Sequence, residues 1–226
     1  MNVIVIGGGA AGLFAAGWAA KSCLRVLVLE KRERPARKIL VTGKGRCNVT
    51  NDCTAEEFLR HVRSMGGRYL FLTNNSSRGV EGYIEKLRRL GIESAPGDYL
   101  TSVDATIRYL KAALPGKTCY IFGTDSFLSQ LDRAGIPVTR DREQAEVLLC
   151  GFDTELTFQK LEDACILLGQ GVPYLSTNPD WVCPTAYGFV PDCGSVCEML
   201  WRATSRRPIV IGKPEPLMPQ LAMLEA

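Results

Sequence analysis

The run Thr-Asn-Asn-Ser-Ser at residues 73–77 places five small hydroxyl and amide side chains directly after the apolar stretch Tyr-Leu-Phe-Leu. Such side chains donate hydrogen bonds to an anion without adding bulk. Ligands of parallel sheets bind where the strands end. The pattern therefore predicts a strand that ends in a phosphate-binding cradle containing Thr73, Asn74 and Asn75.

A second phosphate-binding pattern opens the chain. Gly7, Gly9 and Gly12 have the Gly-x-Gly-x-x-Gly spacing, between the apolar residues 2–6 and an alanine-rich stretch. Glycine permits a tight turn and lets the backbone approach a pyrophosphate, which the following helix N-terminus then faces. Glu30, which ends the next apolar stretch, would accept hydrogen bonds from a ribose. A purely structural glycine turn is the alternative.

The elements that must position these residues alternate in type. Apolar strands are predicted at 2–6, 25–30, 69–73, 119–123, 147–152, 173–178 and 208–212, and helical patterns lie between them. These helices are predicted at 10–22, 55–65, 80–92, 104–113, 125–133, 157–168 and 195–204, with a short one at the end. This alternation predicts an α/β protein with a Rossmann-like, doubly wound parallel sheet.

Composition excludes several functions. The 226 residues include 27 basic and 24 acidic ones, a net charge of +3, which is too small to favour nucleic acid or an anionic membrane. No apolar run reaches the roughly 18 residues of a membrane span. The N-terminus has no basic leader, so we expect neither a signal peptide nor a membrane anchor.

The cysteines and the histidine argue against a metal site of their own. The nine cysteines are odd in number and contain no Cys-x-x-Cys pair, a pattern typical of reduced thiols in a cytoplasmic protein. His61 is the only histidine. We therefore expect neither a cysteine/histidine zinc site nor a Ser-His-Asp triad.

The opening loop and the stretch KILVTGKGRCNVTND at 38–52 together resemble a family of bacterial NAD(P)/FAD-dependent oxidoreductases. The resemblance covers residues 1 to about 55 and implies bound FAD. The residues that it places at the cofactor are Gly7, Gly9, Gly12, Glu30, Lys38, Gly45, Arg46, Cys47 and Asn48. Solvated loop charges at Lys44 and Arg46 are the alternative, because the family completes its FAD site with later segments that this chain lacks.

From about residue 57 to its end the chain resembles the haloacid dehalogenase-like phosphatases that carry a large α/β cap. The matching segments are YLFLTNNSS (69–77), LRRLGI (87–92), GFDTELTFQKL (151–161), STNPD (176–180), GFVPDCGSV (188–196) and PIVIGKPEP (208–216). The resemblance implies a phosphorylated small molecule as substrate. It implies that the Thr73 hydroxyl binds the phosphoryl group, that Lys213 neutralises its charge, and that Asn74 and Asn75 line the cradle.

The resemblance also implies a division into domains. Residues 1–56 would form the dinucleotide-type βαβ unit, 57–93 and 186–226 a partial core, and 94–185 the cap. Asp153, Asn178 and Asp180 are the candidate polar contacts of the cap with the substrate. Turn chemistry is the alternative explanation of Asn178-Pro179-Asp180.

Two parts of the phosphatase pattern are missing. The family begins with a strand that ends in Asp-x-Asp-Gly-Thr, whose carboxylates attack phosphorus and bind Mg²⁺. No such sequence precedes Thr73, and the chain ends at Ala226 before the acidic loop that completes the metal site. Asp153-x-Glu155 is a poor substitute, because it lies within the cap match.

The two resemblances predict a chimera, with the strand at 2–6 filling the place of the missing phosphatase strand. Three functions follow: a phosphatase-like protein that binds phosphate but turns over poorly, a flavoprotein fragment that binds FAD or NAD(P), or a non-catalytic module. The module would depend on a partner chain or form a homo-oligomer.

Overall fold

The computed structural model describes residues 2–6, 10–21, 25–29 and 53–225. The chain forms two compact units, Met1–Thr54 (unit 1) and Ala55–Ala226 (unit 2). Each unit is described separately below.

Unit 1 contains a βαβ arrangement. Strand β1 (Asn2–Ile6) and strand β2 (Arg25–Leu29) flank helix α1 (Ala10–Lys21), and the strands pair in parallel from Asn2 opposite Arg25 to Ile6 opposite Leu29. Runs of Val, Ile and Leu favour the strands, and a parallel pair requires a crossover such as α1. Within the described part of the chain β1 has β2 as its strand partner. The expectation that residues 2–6 also fill a place in the phosphatase sheet stays a prediction.

The larger sheet of unit 2 has five parallel strands in the order β11-β8-β7-β5-β6. The strands are β5 (Cys119–Phe122), β6 (Val138–Thr139), β7 (Val147–Cys150), β8 (Tyr174–Ser176) and β11 (Ile209–Val210). Central strands β5 and β7 are buried at every residue. Their continuous apolar runs suit a parallel sheet that is covered on both faces.

The described residues contain eight α-helices, and seven of them belong to unit 2. These seven are α2 (Ala55–Ser64), α3 (Val80–Arg88), α4 (Ser102–Ala113), α5 (Asp125–Arg133), α6 (Phe158–Gln170), α7 (Cys193–Thr204) and α8 (Leu217–Glu225). Because strand side chains alternate, Tyr120 and Phe122 pack with apolar residues of α6 and α7, whereas Ile121 packs with those of α4 and α5. Helices on both faces confirm the predicted α/β fold class.

Two smaller sheets complete unit 2. Strand β3 (Phe71–Thr73) pairs in parallel with β4 (Tyr99–Thr101), and β9 (Val182–Thr185) forms an antiparallel hairpin with β10 (Gly188–Pro191). In the larger sheet, β11 from the predicted core range pairs with β8 from the predicted cap range. Likewise, β4 from the cap range pairs with β3 from the core range. The division into core and cap stays a prediction.

None of the helices in the described residues is long and apolar enough to cross a membrane.

Candidate functional site

Strand β3 ends at a cavity of about 830 Å³. Thr73, Asn75 and Ser77 line this cavity, whereas the intervening Asn74 and Ser76 do not. Ser76 is instead fully buried, and its hydroxyl accepts hydrogen bonds from the Phe152 amide at 2.9 Å and the Thr177 hydroxyl at 3.2 Å. Along the run, residues that line the cavity therefore alternate with residues that do not.

Short-range hydrogen bonds order the cavity side of the run. The Thr73 hydroxyl donates to the Tyr83 hydroxyl at 3.4 Å and accepts from the backbone nitrogen of Asn75 at 3.3 Å. The Asn75 side-chain oxygen accepts from the backbone amide and the hydroxyl of Ser77, each at 2.8 Å. Burial raises the pKa of Tyr83, so its hydroxyl stays protonated at neutral pH. These contacts hold three small polar side chains along one wall.

Cationic side chains surround the same cavity. Arg78 follows the polar run directly, and Lys86 lies on α3 one turn beyond Gly82 and Tyr83, all of them lining residues. Two positive charges beside a polar wall favour an anionic ligand. Sequence reasoning missed these residues, although the helical spacing of 82, 83 and 86 places them on one face of α3.

Lys213 lies between β11 and α8, in the segment Gly212-Lys213-Pro214 with a cis Lys213–Pro214 bond. Its Nζ donates to the Leu72 carbonyl at 3.0 Å, so the ammonium lies beside the last residues of β3. Gly212 permits this approach, because a Cβ there would lie 2.3 Å from the Thr177 carbonyl oxygen. The structure thus brings Lys213 and Thr73, far apart in sequence, to one strand end.

Asn74 faces away from the cavity. Its amide nitrogen donates to Asp180 Oδ2 at 3.0 Å and to the Lys213 carbonyl at 2.9 Å. Its amide oxygen accepts from the Lys213 backbone nitrogen at 2.9 Å. The expectation that Asn74 lines the cradle thus differs from its position in the structure, because its side chain is bound to Lys213 and Asp180.

Asn178 and Asp180 also serve the backbone. Asn178 is fully buried, donates to the Asn74 carbonyl at 2.9 Å and accepts from the Asp180 amide at 3.0 Å. Neither residue lines the cavity beside β3. The turn interpretation of Asn178-Pro179-Asp180 fits these contacts.

Asp153 lines the cavity, but its carboxylate is already paired. Its side chain is 0% exposed and forms an ion pair with Lys160 at 2.9 Å. Its second oxygen accepts from the Glu155 amide at 2.8 Å. Lys160 also donates to the carbonyls of Gly123 and Glu155, at 3.0 and 2.9 Å. Both charges of the pair are therefore satisfied within the fold.

The implied Mg²⁺ does not fit the residues that the structure describes. Among them there is no group of three acidic, histidine or cysteine side chains that could hold a metal ion. Buried Asp192 accepts from the Cys193 amide at 2.6 Å, at the start of α7. Burial and the negative charge of Asp180 raise the pKa of Asp192. The Asp192 carboxylate is thus engaged in capping α7 and belongs to no three-ligand group among the described residues.

The predicted FAD contacts lie almost entirely outside the described residues. Gly12 is within α1. The remaining ones are Gly7, Gly9, Glu30, Lys38, Gly45, Arg46, Cys47 and Asn48, and the structure does not describe them.

Comparison with known families gives two matches. Residues 1–86 match the model of the HI0933-like protein Rossmann domain, and residues 53–137 match that of the haloacid dehalogenase-like hydrolases. The two matches overlap at residues 53–86.

Individual relatives extend the second match. The chain is 33% identical over 164 residues to an acid sugar phosphatase of Staphylococcus aureus, which covers 73% of this chain. It spans 63% of the length of that relative. A 4-nitrophenylphosphatase from Thermotoga maritima is similar in structure, with a TM-score of 0.70 and 33% identity over 75% of this chain and 64% of its own.

The double mutant of a thermostable NPPase from Geobacillus stearothermophilus is similar to the same extent. Its TM-score is 0.71 and its identity 32%, over 76% of this chain and 68% of its own. With the parallel sheet and the helices on its two faces, these matches show that the chain belongs, through unit 2, to the haloacid dehalogenase-like hydrolase family.

Proposed function

We propose that unit 2 binds phosphate monoesters of small molecules at the end of β3 and hydrolyses them weakly or not at all. The observation that carries the proposal is the Lys213 ammonium, 3.0 Å from the Leu72 carbonyl and thus beside Thr73. The relatives named as phosphatases of acid sugars and of nitrophenyl phosphate support this ligand class.

Each residue would have a separate task in binding. The Thr73 hydroxyl would rotate from Tyr83 to donate to a phosphate oxygen, and the Lys213 ammonium would offset the phosphate charge. Arg78 and Lys86 would attract the anion to the cavity that they line. The rest of the cavity would accept the organic part of the ester.

Weak turnover would follow from the missing nucleophile motif and from the engagement of the carboxylates described near the site. The chain contains no Asp-x-Asp-Gly-Thr sequence. Among the described carboxylates near the site, Asp153 is paired with Lys160 and Asp180 is bonded to Asn74. Loss of an attacking group typically costs several powers of ten in rate.

Titration of the full chain with 4-nitrophenyl phosphate tests the proposal, with nitrophenolate release measured in parallel with and without Mg²⁺. We expect saturable binding with little release. Lys213→Gln should weaken binding about tenfold, because a charge-assisted contact is lost. Lys111→Gln, on the exposed face of α4, is the matched control and should bind normally. Unchanged affinity in Lys213→Gln would contradict the site, and rapid Mg²⁺-dependent release would contradict weak turnover.

A second candidate function belongs to unit 1. The parallel βαβ arrangement and the match to an HI0933-like Rossmann domain favour dinucleotide binding by the loop between β1 and α1. FAD or NAD(P) would be the ligand. Quenching of flavin fluorescence on titration of FAD with the protein tests this, with Gly9→Val as the loop variant that should abolish it. Equal quenching by both proteins would count against the loop.

The thiols suggest where the protein works. The seven cysteines in the described residues are free. We propose a reducing compartment such as the cytoplasm for this reason.

A further inference from the structure

We propose that Asn74 is a positioning residue that sets the Lys213 ammonium at the end of β3, and that Asp180 orients Asn74. The proposal rests on the phosphate-binding function above and deepens it. Asn74 itself would touch no ligand, because its side chain points away from the cavity.

The Asn74 amide binds both backbone groups of Lys213. It accepts from the Lys213 nitrogen and donates to the Lys213 carbonyl, each at 2.9 Å. This two-point contact fixes the direction of the peptide as well as its distance. The orientation of the side-chain amide follows from its partners. If it were flipped, its NH₂ group would face the Lys213 N–H, and its oxygen would face the Lys213 carbonyl and the Asp180 carboxylate.

Asp180 completes the contact. Its Oδ2 accepts the other amide proton of Asn74 at 3.0 Å, so both donors of the amide are used. An ionised carboxylate accepts but never donates, and it therefore holds the amide nitrogen on the side where the Lys213 carbonyl lies.

The backbone of Asn74 is fixed independently. Its carbonyl accepts from the Ser102 hydroxyl at 2.7 Å and from the side-chain amide of Asn178 at 2.9 Å. Ser102 begins α4, and Asn178 follows β8. Asn74 is therefore a rigid point from which the Lys213 backbone is held.

The two ends of Lys213 contact residues on either side of Thr73. Its backbone is bound to Asn74, and its Nζ is bound to the Leu72 carbonyl at 3.0 Å. The ammonium is thereby held at the end of β3, at the peptide that joins Leu72 to Thr73. Without Asn74, holding the flexible Lys213 side chain at the end of β3 would cost more conformational entropy.

The test uses the full chain with its lysine side chains methylated by a ¹³C reagent. The methyl resonance of Lys213 is identified by its loss in Lys213→Arg. Its NMR position then reports on the surroundings of the Lys213 ammonium. Orthophosphate is the titrant. We expect Asn74→Ala to move this resonance to the position of exposed lysines and to weaken orthophosphate binding about tenfold.

Thr204→Val is the matched control. It removes a hydroxyl that donates to the Leu200 carbonyl at 2.7 Å within α7 and touches neither Asn74 nor Lys213, so it should lower stability without moving the Lys213 resonance or the affinity. Asn74→Asp should weaken binding through repulsion from Asp180, and the double variant Asn74→Asp/Asp180→Asn should restore part of it. This pair decides the matter if Asn74→Ala does not fold.

Three results would overturn the proposal: an unmoved Lys213 resonance in folded Asn74→Ala, equal effects of Asn74→Ala and Thr204→Val, or no recovery in the double variant. Failure of the phosphate-binding function looks different. In that case the wild-type resonance would ignore orthophosphate but would still move in Asn74→Ala.

Discussion

Asp163 is a buried carboxylate on α6 whose charge is held by three side chains. The Tyr120 hydroxyl donates to it at 2.9 Å, Arg142 at 3.0 Å and Gln159 at 3.1 Å. Burial alone would raise the pKa of Asp163, but these hydrogen bonds and the Arg142 charge outweigh burial and lower it. The carboxylate therefore stabilises the fold while it is ionised.

Asp163→Asn should lower the free energy of unfolding at pH 7 by about 1–3 kcal/mol, the range for a buried hydrogen-bonded group. A lowered pKa means that this stabilisation is full above the unfolded-state pKa, about 3.9, and is lost as the pH falls through the folded-state pKa. Urea denaturation of wild type and variant between pH 7 and pH 3 should therefore give curves that converge in acid. Asp132→Asn, on the exposed side of α5, should leave the curve unchanged, and an equal effect of both variants would contradict the role of Asp163.

The pair formed by Asp153 and Lys160 gives a second prediction at this scale. Lys160→Met should cost about 3–5 kcal/mol of unfolding free energy, because it leaves a buried carboxylate without its partner. The double variant Lys160→Met/Asp153→Asn should recover much of that loss, since no charge is then buried alone. Chemical denaturation of the three proteins checks this, and additive losses would show that the pair does not act as a unit.

The sequence predicted the position of the site residues better than the direction in which their side chains point. The Thr-Asn-Asn-Ser-Ser run predicts the strand end, and the family resemblance points to Lys213. The run does not predict which of its five side chains face the cavity, because all five are small and polar. The apolar alternation that normally assigns the two sides of a strand is missing here.

At the scale of elements, helix α6 contains two glycines with opposite roles. Gly171 ends the helix with φ of +85°, in the left-handed region that disfavours other residues. Gly169 lies within the last turn, and a Cβ there would meet nothing within 4 Å. Gly171→Ala should therefore destabilise the protein by about 1 kcal/mol, whereas Gly169→Ala should stabilise it by up to about 1 kcal/mol. Thermal unfolding of the two variants checks this, and a shift of the same sign in both would contradict it.

The predicted elements are confirmed wherever periodicity is strong. Each apolar strand predicted from sequence is present, although most end earlier than predicted, as β7 does at Cys150 before Gly151. Strands β4 and β6 and the β9–β10 hairpin were missed. The hairpin has Pro184 and Pro191 in its strands, and proline within an apolar run argues against a strand. A backbone hydrogen bond from Asp192 to the Trp181 carbonyl at 3.0 Å extends its ladder by one step.

At the scale of the molecule, the three described hydrophobic clusters all lie in unit 2. A chain that begins at Ala55 should therefore keep a cooperative thermal transition close to that of the full chain. Calorimetry of both proteins measures this. A chain that begins at Ala55 and melts without a transition would show that residues 1–54 are required for the fold of unit 2.

The sequence also predicts resemblance to two families, an oxidoreductase family first and a phosphatase family after it. The family matches at 1–86 and 53–137 follow each other in the same order. The predicted βαβ unit at 1–56 implies that residues 2–6 pair in parallel with the next strand, and the structure has this pair. The short helical crossover favours it, since closing a short loop costs less entropy than closing a long one.

The two-sidedness of residues 73–77 has a consequence for mutability. Substitutions at Thr73, Asn75 and Ser77 should change ligand binding while the protein still folds, whereas Asn74 and Ser76 should tolerate little change. A library that randomises all five positions, sorted separately for expression and for ligand capture, should show this odd-and-even pattern. A single amino acid inserted after Thr73 should fail both selections at once, because each later side chain would exchange sides.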